Sequence, residues 1–204
     1  SDENSNTYIP PNYPINQRGL TGCISFVNIY FDYVDLTANN SNCEDAINLV
    51  NTAGKINTIS IQNSFSDALD ADFSELKINN LNISSAINDC TDFSAGEYDL
   101  VNLDLNNCGD KGISIGEKSK VKIKNITVNK ADIGVATKDS SILSLKNATL
   151  ENLRTCVSAY NKKQEFNGGF VKIENLICKK FTKKFEIDKM SKIIIDKSIL
   201  TSKK

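Results

Sequence analysis

Between about Asn57 and Leu200 apolar and polar residues alternate in short runs, and each run turns on an asparagine. The runs are Ile59-Ile61-Asn63, Leu76-Ile78-Asn80-Leu81-Ile83, Tyr98-Leu100-Asn102-Leu103-Leu105, Val121-Ile123-Asn125-Ile126-Val128, Leu143-Leu145-Asn147-Ala148-Leu150 and Val171-Ile173-Asn175-Leu176-Cys178. A seventh, Ile193-Ile195-Lys197-Ser198-Leu200, has lysine in the asparagine position. Alternation of this kind marks a strand with one buried face. The pivots lie 17, 22, 23, 22 and 28 residues apart, with Lys197 another 22 on. A fixed period means that each unit buries its apolar face only against its neighbours. Two or three short strands per unit predict an all-β fold, a right-handed parallel β-helix (solenoid) with coils of about 22 residues. Asparagine suits the pivot because its amide bonds along the stack and because it tolerates the left-handed bend between strands. A leucine-rich repeat would need a dense leucine framework, which these mixed Ile, Val and Leu runs lack.

A second series keeps its own register. Asp45, Asp67, Asp89, Asp110 and Asp132 recur at steps of 22, 22, 21 and 22. Two series holding one period independently argue for stacked coils more strongly than either alone. Ile24, Phe26, Asn28, Ile29 and Phe31 fit the first template, and Asn39-Asn40-Ser41-Asn42 is read as a surface loop. Residues 1–20, which hold all three prolines, are read as an extended arm or linker, and residues 21–204 as a single β-helix domain. The 28-residue step places an insertion at residues 161–169, where a solenoid loops out at a corner.

Composition narrows the function classes. A net charge of −1 and a pI near 5.6 leave no electrostatic footprint for nucleic acid or anionic membrane. No apolar run is long enough to span a membrane. The polar start, Ser1-Asp2-Glu3-Asn4, is not a signal peptide, and we expect a mature or excised piece of a longer protein. With no histidine and no CxxC pair, zinc is not expected. The six cysteines are read first as small buried hydrophobes. Disulfides in an oxidising compartment are the alternative, with Cys23–Cys43 and Cys90–Cys108 as conceivable pairs.

Candidate chemistry lies in the acidic series. Stacking brings like residues of successive coils to about 4.8 Å, so Asp67, Asp89 and Asp110 are expected in one column, with Asp70 and Asp92 in a second and Asp72 beside them. Such carboxylates repel unless a hard cation, a shared proton or a lysine such as Lys111 or Lys138 relieves them. The candidate catalytic set is Asp67, Asp70, Asp89, Asp92 and Lys111, and the candidate Ca²⁺ set is Asp70, Asp72 and Asp92. Against both stands the use of aspartate to cap backbone N–H groups in turns, which a repeat copies into every coil. Asp45 and Asp132 share the series yet are expected outside any compact cluster, as a structural role requires. Lys138, Tyr160, Lys162 and Glu165, with Lys111, Glu117, Asp139 and Lys163 nearby, form a candidate binding strip in which Tyr160 stacks on a sugar.

Several stretches resemble one family. They are Ser66–Ser74, Asn88–Ser94, Asp110–Glu117, Gly134–Ser141 and Ala159–Gly169. In order, they are similar to the right-handed parallel β-helix (pectate-lyase-like) region at the C-terminal end of large bacterial envelope proteins, some of which carry a CotH-type domain elsewhere. The resemblance implies a β-helix and an extracellular or cell-envelope setting. The function expected is a non-catalytic structural, adhesive or assembly module that needs no cofactor. The alternative is a uronate lyase or glycoside hydrolase working through the aspartates, with Ca²⁺ as a possible cofactor. Expected partners are a polysaccharide or surface protein, or further copies joined through coil ends or the N-terminal arm.

Overall fold

The computed structural model describes residues 19–202, and over that span the chain is all-β with no helix. The expected arm lies outside the described residues, except for Gly19 and Leu20. One side of the solenoid stacks β1 (Gly22–Val27), β3 (Asp45–Val50), β5 (Asp67–Asp72), β7 (Thr91–Ser94) and β9 (Lys111–Gly116). It continues through the second halves of β10 (Lys120–Lys138), β11 (Ile142–Tyr160) and β12 (Phe170–Ile187). The rest of each coil comes from β2 (Tyr30–Ser41), β4 (Ala53–Ser64), β6 (Glu75–Ala86), β8 (Glu97–Cys108) and the first halves of β10 to β12, followed by β13 (Lys192–Ile195). All these pairings are parallel. Ladder partners lie 22 or 23 residues apart, and 28 apart across the insertion. The chain is a parallel β-helix.

The corners follow from side-chain direction. In β8, Leu100 and Leu103 point into the core while Val101 and Asn102 between them do not. Two successive outward residues break the period of two and turn the strand through a corner. Here the asparagines form the expected ladder. Asn102, Asn125, Asn147 and Asn175 each donate Nδ2 to the Oδ1 one coil back, at 3.2, 2.9, 2.9 and 2.9 Å. Asn80 ends the ladder on the Asn57 carbonyl at 3.3 Å.

Asn63 does not belong to that column, which Thr58 occupies instead. It sits at the next corner with Asn40, Ser85 and Asn107, all in the left-handed region. The 17-residue step was a change of column, not a short coil. Asn28 likewise belongs to a third corner, where Asn51 donates to it at 2.6 Å, so Ile24-Phe26 is the opposite phase of the repeat. Asn39 and Asn40 lie within β2 rather than in a loop. Lys197 continues no ladder. With Asp196 it takes positive φ (74° and 46°), the geometry of a type I′ turn, and the chain doubles back as antiparallel β14 (Ser198–Leu200).

The interior is a continuous column of Ile, Leu and Val with small residues between, and the buried rings of Phe93 and Tyr98 meet within it at 4.7 Å. Cys90, Cys108 and Cys156 are buried there, but the reading of the cysteines as simple buried hydrophobes needs correcting. All six are paired, as Cys23–Cys43, Cys90–Cys108 and Cys156–Cys178. The pairs join positions near opposite ends of a coil's path, which stacking brings within reach (Cα–Cα 5.3 Å for the first two).

Candidate functional site

The acidic residues converge on the outward surface of the β5–β7–β9 side. Register sets three columns. The first is Asp45, Asp67, Asp89 and Lys111, the second Asn48, Asp70, Asp92 and Ser114, and the third Val50, Asp72, Ser94, Gly116, Lys138 and Tyr160. Asp110 is therefore not in line with Asp67 and Asp89. Lys111 pairs in register with Ile133, so Asp110 shares its column with Asp132 instead. The single 21-residue step marked this slip. Asp45, expected to stand apart, is buried beside Asp67 and belongs to the cluster. Asp132 does stand apart, held by Arg154 through Nε and Nη2 at 2.7 and 2.8 Å.

Most of these carboxylates hold one coil to the next. Asp67 Oδ1 accepts from the Asp89 backbone N–H (2.8 Å) and from Asn88 Nδ2 (2.7 Å). Asp89 Oδ1 accepts from the Lys111 backbone N–H at 2.9 Å, and Lys111 Nζ lies 3.4 Å from the same oxygen while ion-pairing with Asp110. Asn48 Nδ2 donates to Asp70 Oδ2 at 3.0 Å. Lys138, buried although charged, donates to Ser114 Oγ at 2.8 Å and lies 3.5 Å from Asp92 Oδ2. Asp92 Oδ1 and Asp45 Oδ2 are buried without a hydrogen-bond partner.

Burial and mutual repulsion push Asp45, Asp67, Asp70, Asp72 and Asp89 toward their neutral forms. Desolvation, with Asp67 and Glu44 adding, raises Asp45 to about 7 against the relief of a Thr21 hydrogen bond. Desolvation raises Asp89 to about 7 although Lys111 pulls it down. Asp70 is raised by burial and by Asp72, Asp45 and Asp92, and Asp67 and Asp72 are also raised, chiefly by burial. For Lys111 burial works against the ammonium, but Asp89 and Asp110 outweigh it and its pKa rises.

The binding strip is only partly assembled. Lys138 and Tyr160 are register partners, and burial raises the Tyr160 phenol while Lys111 opposes the shift. Lys162 and Glu165 lie exposed on the 161–169 insertion. That loop is tied down by its backbone. The N–H groups of Lys162 and Lys163 donate to Asp139 Oδ1 at 2.7 and 2.8 Å, and Lys163 Nζ ion-pairs with Glu117. Among the described residues no three or more Asp, Glu, Cys or His side chains are arranged to hold a metal ion, Asp70, Asp72 and Asp92 included. Asn48 and Ser114 are members of the strip that the repeat pattern did not single out, although counting 22 residues back from Asp70 and 22 on from Asp92 reaches them.

Comparison with known proteins gave no match among family models, curated proteins or solved structures.

Proposed function

We propose that this β-helix is a non-catalytic module of an extracellular or cell-envelope protein, a rigid rod for display, adhesion or assembly. The observation that carries this reading is the use made of the aspartates. Asp67 and Asp89 cap the backbone N–H groups of the following coil, and both lysines of the strip are engaged by carboxylates within it. A general base must be free to reach a substrate proton, and these groups are occupied by the fold. Three disulfides favour an oxidising compartment.

The polysaccharide-active alternative draws on Asp70, which burial and neighbouring carboxylates hold toward the acid form, as a general acid needs. Polygalacturonate and alginate, each with and without Ca²⁺, separate the two readings by ultraviolet absorbance for a lyase and reducing-end release for a hydrolase. No product is expected. Turnover that disappears in Asp70→Asn and Asp89→Asn would replace the rod by an enzyme.

A further inference from the structure

Around the corner from the acid strip, β4 and β6 are each followed directly by a large apolar side chain that the core does not take up. Phe65 is 61% exposed and Ile87, one coil on, is 69% exposed. Neither position is loose. The Phe65 and Ile87 N–H groups donate to the Ser41 and Ser64 carbonyls, both at 3.1 Å. At the next coil the position is Gly109, where a Cβ would sit 1.8 Å from the Ile87 carbonyl oxygen. The apolar ridge therefore stops there and leaves an open end.

Beside the ridge runs a file of left-handed residues, Asn40, Asn63, Ser85 and Asn107. Their side chains are held by coil-to-coil bonds. Asn63 Nδ2 donates to Asn40 Oδ1 at 2.9 Å and Asn107 Nδ2 to Ser85 Oγ at 3.1 Å. An amide has two donors and two acceptor positions, and each of these bonds uses one, so the file is both fixed in place and able to bond further. Ridge and file line an open, shallow groove of about 390 Å³, within the roughly 300–1,000 Å³ span of small-ligand clefts.

No charged residue lines this groove. The contrast with the cleft at the other ends of these strands is sharp, since there Tyr30 and Tyr98 sit among Lys55, Glu75, Lys77, Glu97, Asp99 and Lys120. A charged ligand would find no counter-ion in the neutral groove and would lose hydration on entering it. A ligand with one apolar face and a rim of hydroxyls matches it. The C–H face of a pyranose ring lies against an aromatic and an aliphatic side chain, while amides exchange hydrogen bonds with its hydroxyls.

We propose that this corner groove binds a neutral oligosaccharide, with Phe65 and Ile87 against one sugar ring and Asn40, Asn63 and Asn107 on its hydroxyls. The site shares no carboxylate with the acid strip, so it stands or falls apart from the non-catalytic reading. Isothermal titration of the whole chain with cellohexaose, xylohexaose and N-acetylchitohexaose, with polygalacturonate as the charged control, tests it. At least one neutral hexasaccharide should bind, and Phe65→Ala should weaken it by roughly tenfold or more. Asn63→Gly, which removes the amide but suits the left-handed backbone, should also weaken it. If Phe65→Ala loses its far-ultraviolet β signal, Ile87→Ser replaces it under the same criterion. No binding by any neutral probe, binding confined to polygalacturonate, or affinity unchanged in the ridge variant would overturn the proposal.

Discussion

Asp45 shows what a buried acid does to a β-helix. It is 3% exposed, one of its carboxylate oxygens has no partner, and its nearest charges are Asp67, Glu44 and Asp72, all of its own sign. Its pKa is raised from the ordinary 3.8 to about 7, as is that of Asp89. A carboxyl whose folded value lies above its unfolded one binds more protons when folded. Its contribution is therefore fully present below the unfolded value and is lost as pH climbs through the folded one. The chain should be more stable at pH 5 than at pH 8. Each such group is worth on the order of 1–3 kcal/mol across that window, after allowing for partial relief by hydrogen bonds and by Lys111. Thermal unfolding at a series of pH values checks this. Asp45→Asn should raise Tm at pH 8 and flatten the profile, and a wild-type chain more stable at pH 8 would contradict the burial argument.

At the level of strands and corners, the asparagine ladder and the disulfides carry separable loads. Asn125 both donates to Asn102 and accepts from Asn147, whereas among the described residues Asn175 only donates, to Asn147. At about 1 kcal/mol per net hydrogen bond, Asn125→Ala should cost about 2 kcal/mol and Asn175→Ala about half that, read from urea unfolding. Equal losses would mean that the ladder adds nothing beyond a corner preference. The Cys90–Cys108 bond closes a loop of sequence separation 18, for which chain entropy gives about 3 kcal/mol. Cys90→Ser with Cys108→Ser should lower the urea midpoint accordingly, by more than either asparagine change.

This is also the scale at which the sequence was most legible. Ile78-x-Asn80-Leu81 announces a corner because two outward residues between two inward ones leave a visible mark on the alternation. Asp110 was misplaced because a one-residue slip moves a side chain to the next column without altering composition, and only the 21-residue step betrayed it. The Cys23–Cys43 and Cys90–Cys108 pairs were already conceivable from separations just under one coil, whereas no partner was named for Cys156 or Cys178, which pair with each other. Phe65 escaped as well. Alternation separates inward from outward positions but is silent about which outward residues stand together at a corner.

Over the described residues, contacts run mainly between neighbouring coils, with ion pairs such as Lys138–Asp92 and Lys163–Glu117 reaching two coils, so stability is close to a sum along a line and the ends are its weak points. Among the described residues β13 has β12 on one side, and on the other it meets β14 in antiparallel register, Ile193 opposite Leu200 and Ile195 opposite Ser198. That hairpin covers an edge that would otherwise offer unpaired N–H and C=O groups to another chain. Asp196 and Lys197 carry the tight reversal that makes it possible. Leu200 also packs against the core at this end. Removing residues 196–204 should therefore do more than destabilise the last coil. The freed β13 edge should pair with a second copy, and sedimentation velocity at rising concentration should show the truncated chain associating more strongly than the intact one. Matching Asp196→Pro, which forbids the positive φ of the turn without deleting Leu200, should reproduce the association. If both variants sediment as the intact chain does, β14 is not a protective end cap, and what keeps the β-helix from pairing edge to edge lies elsewhere in the last coil.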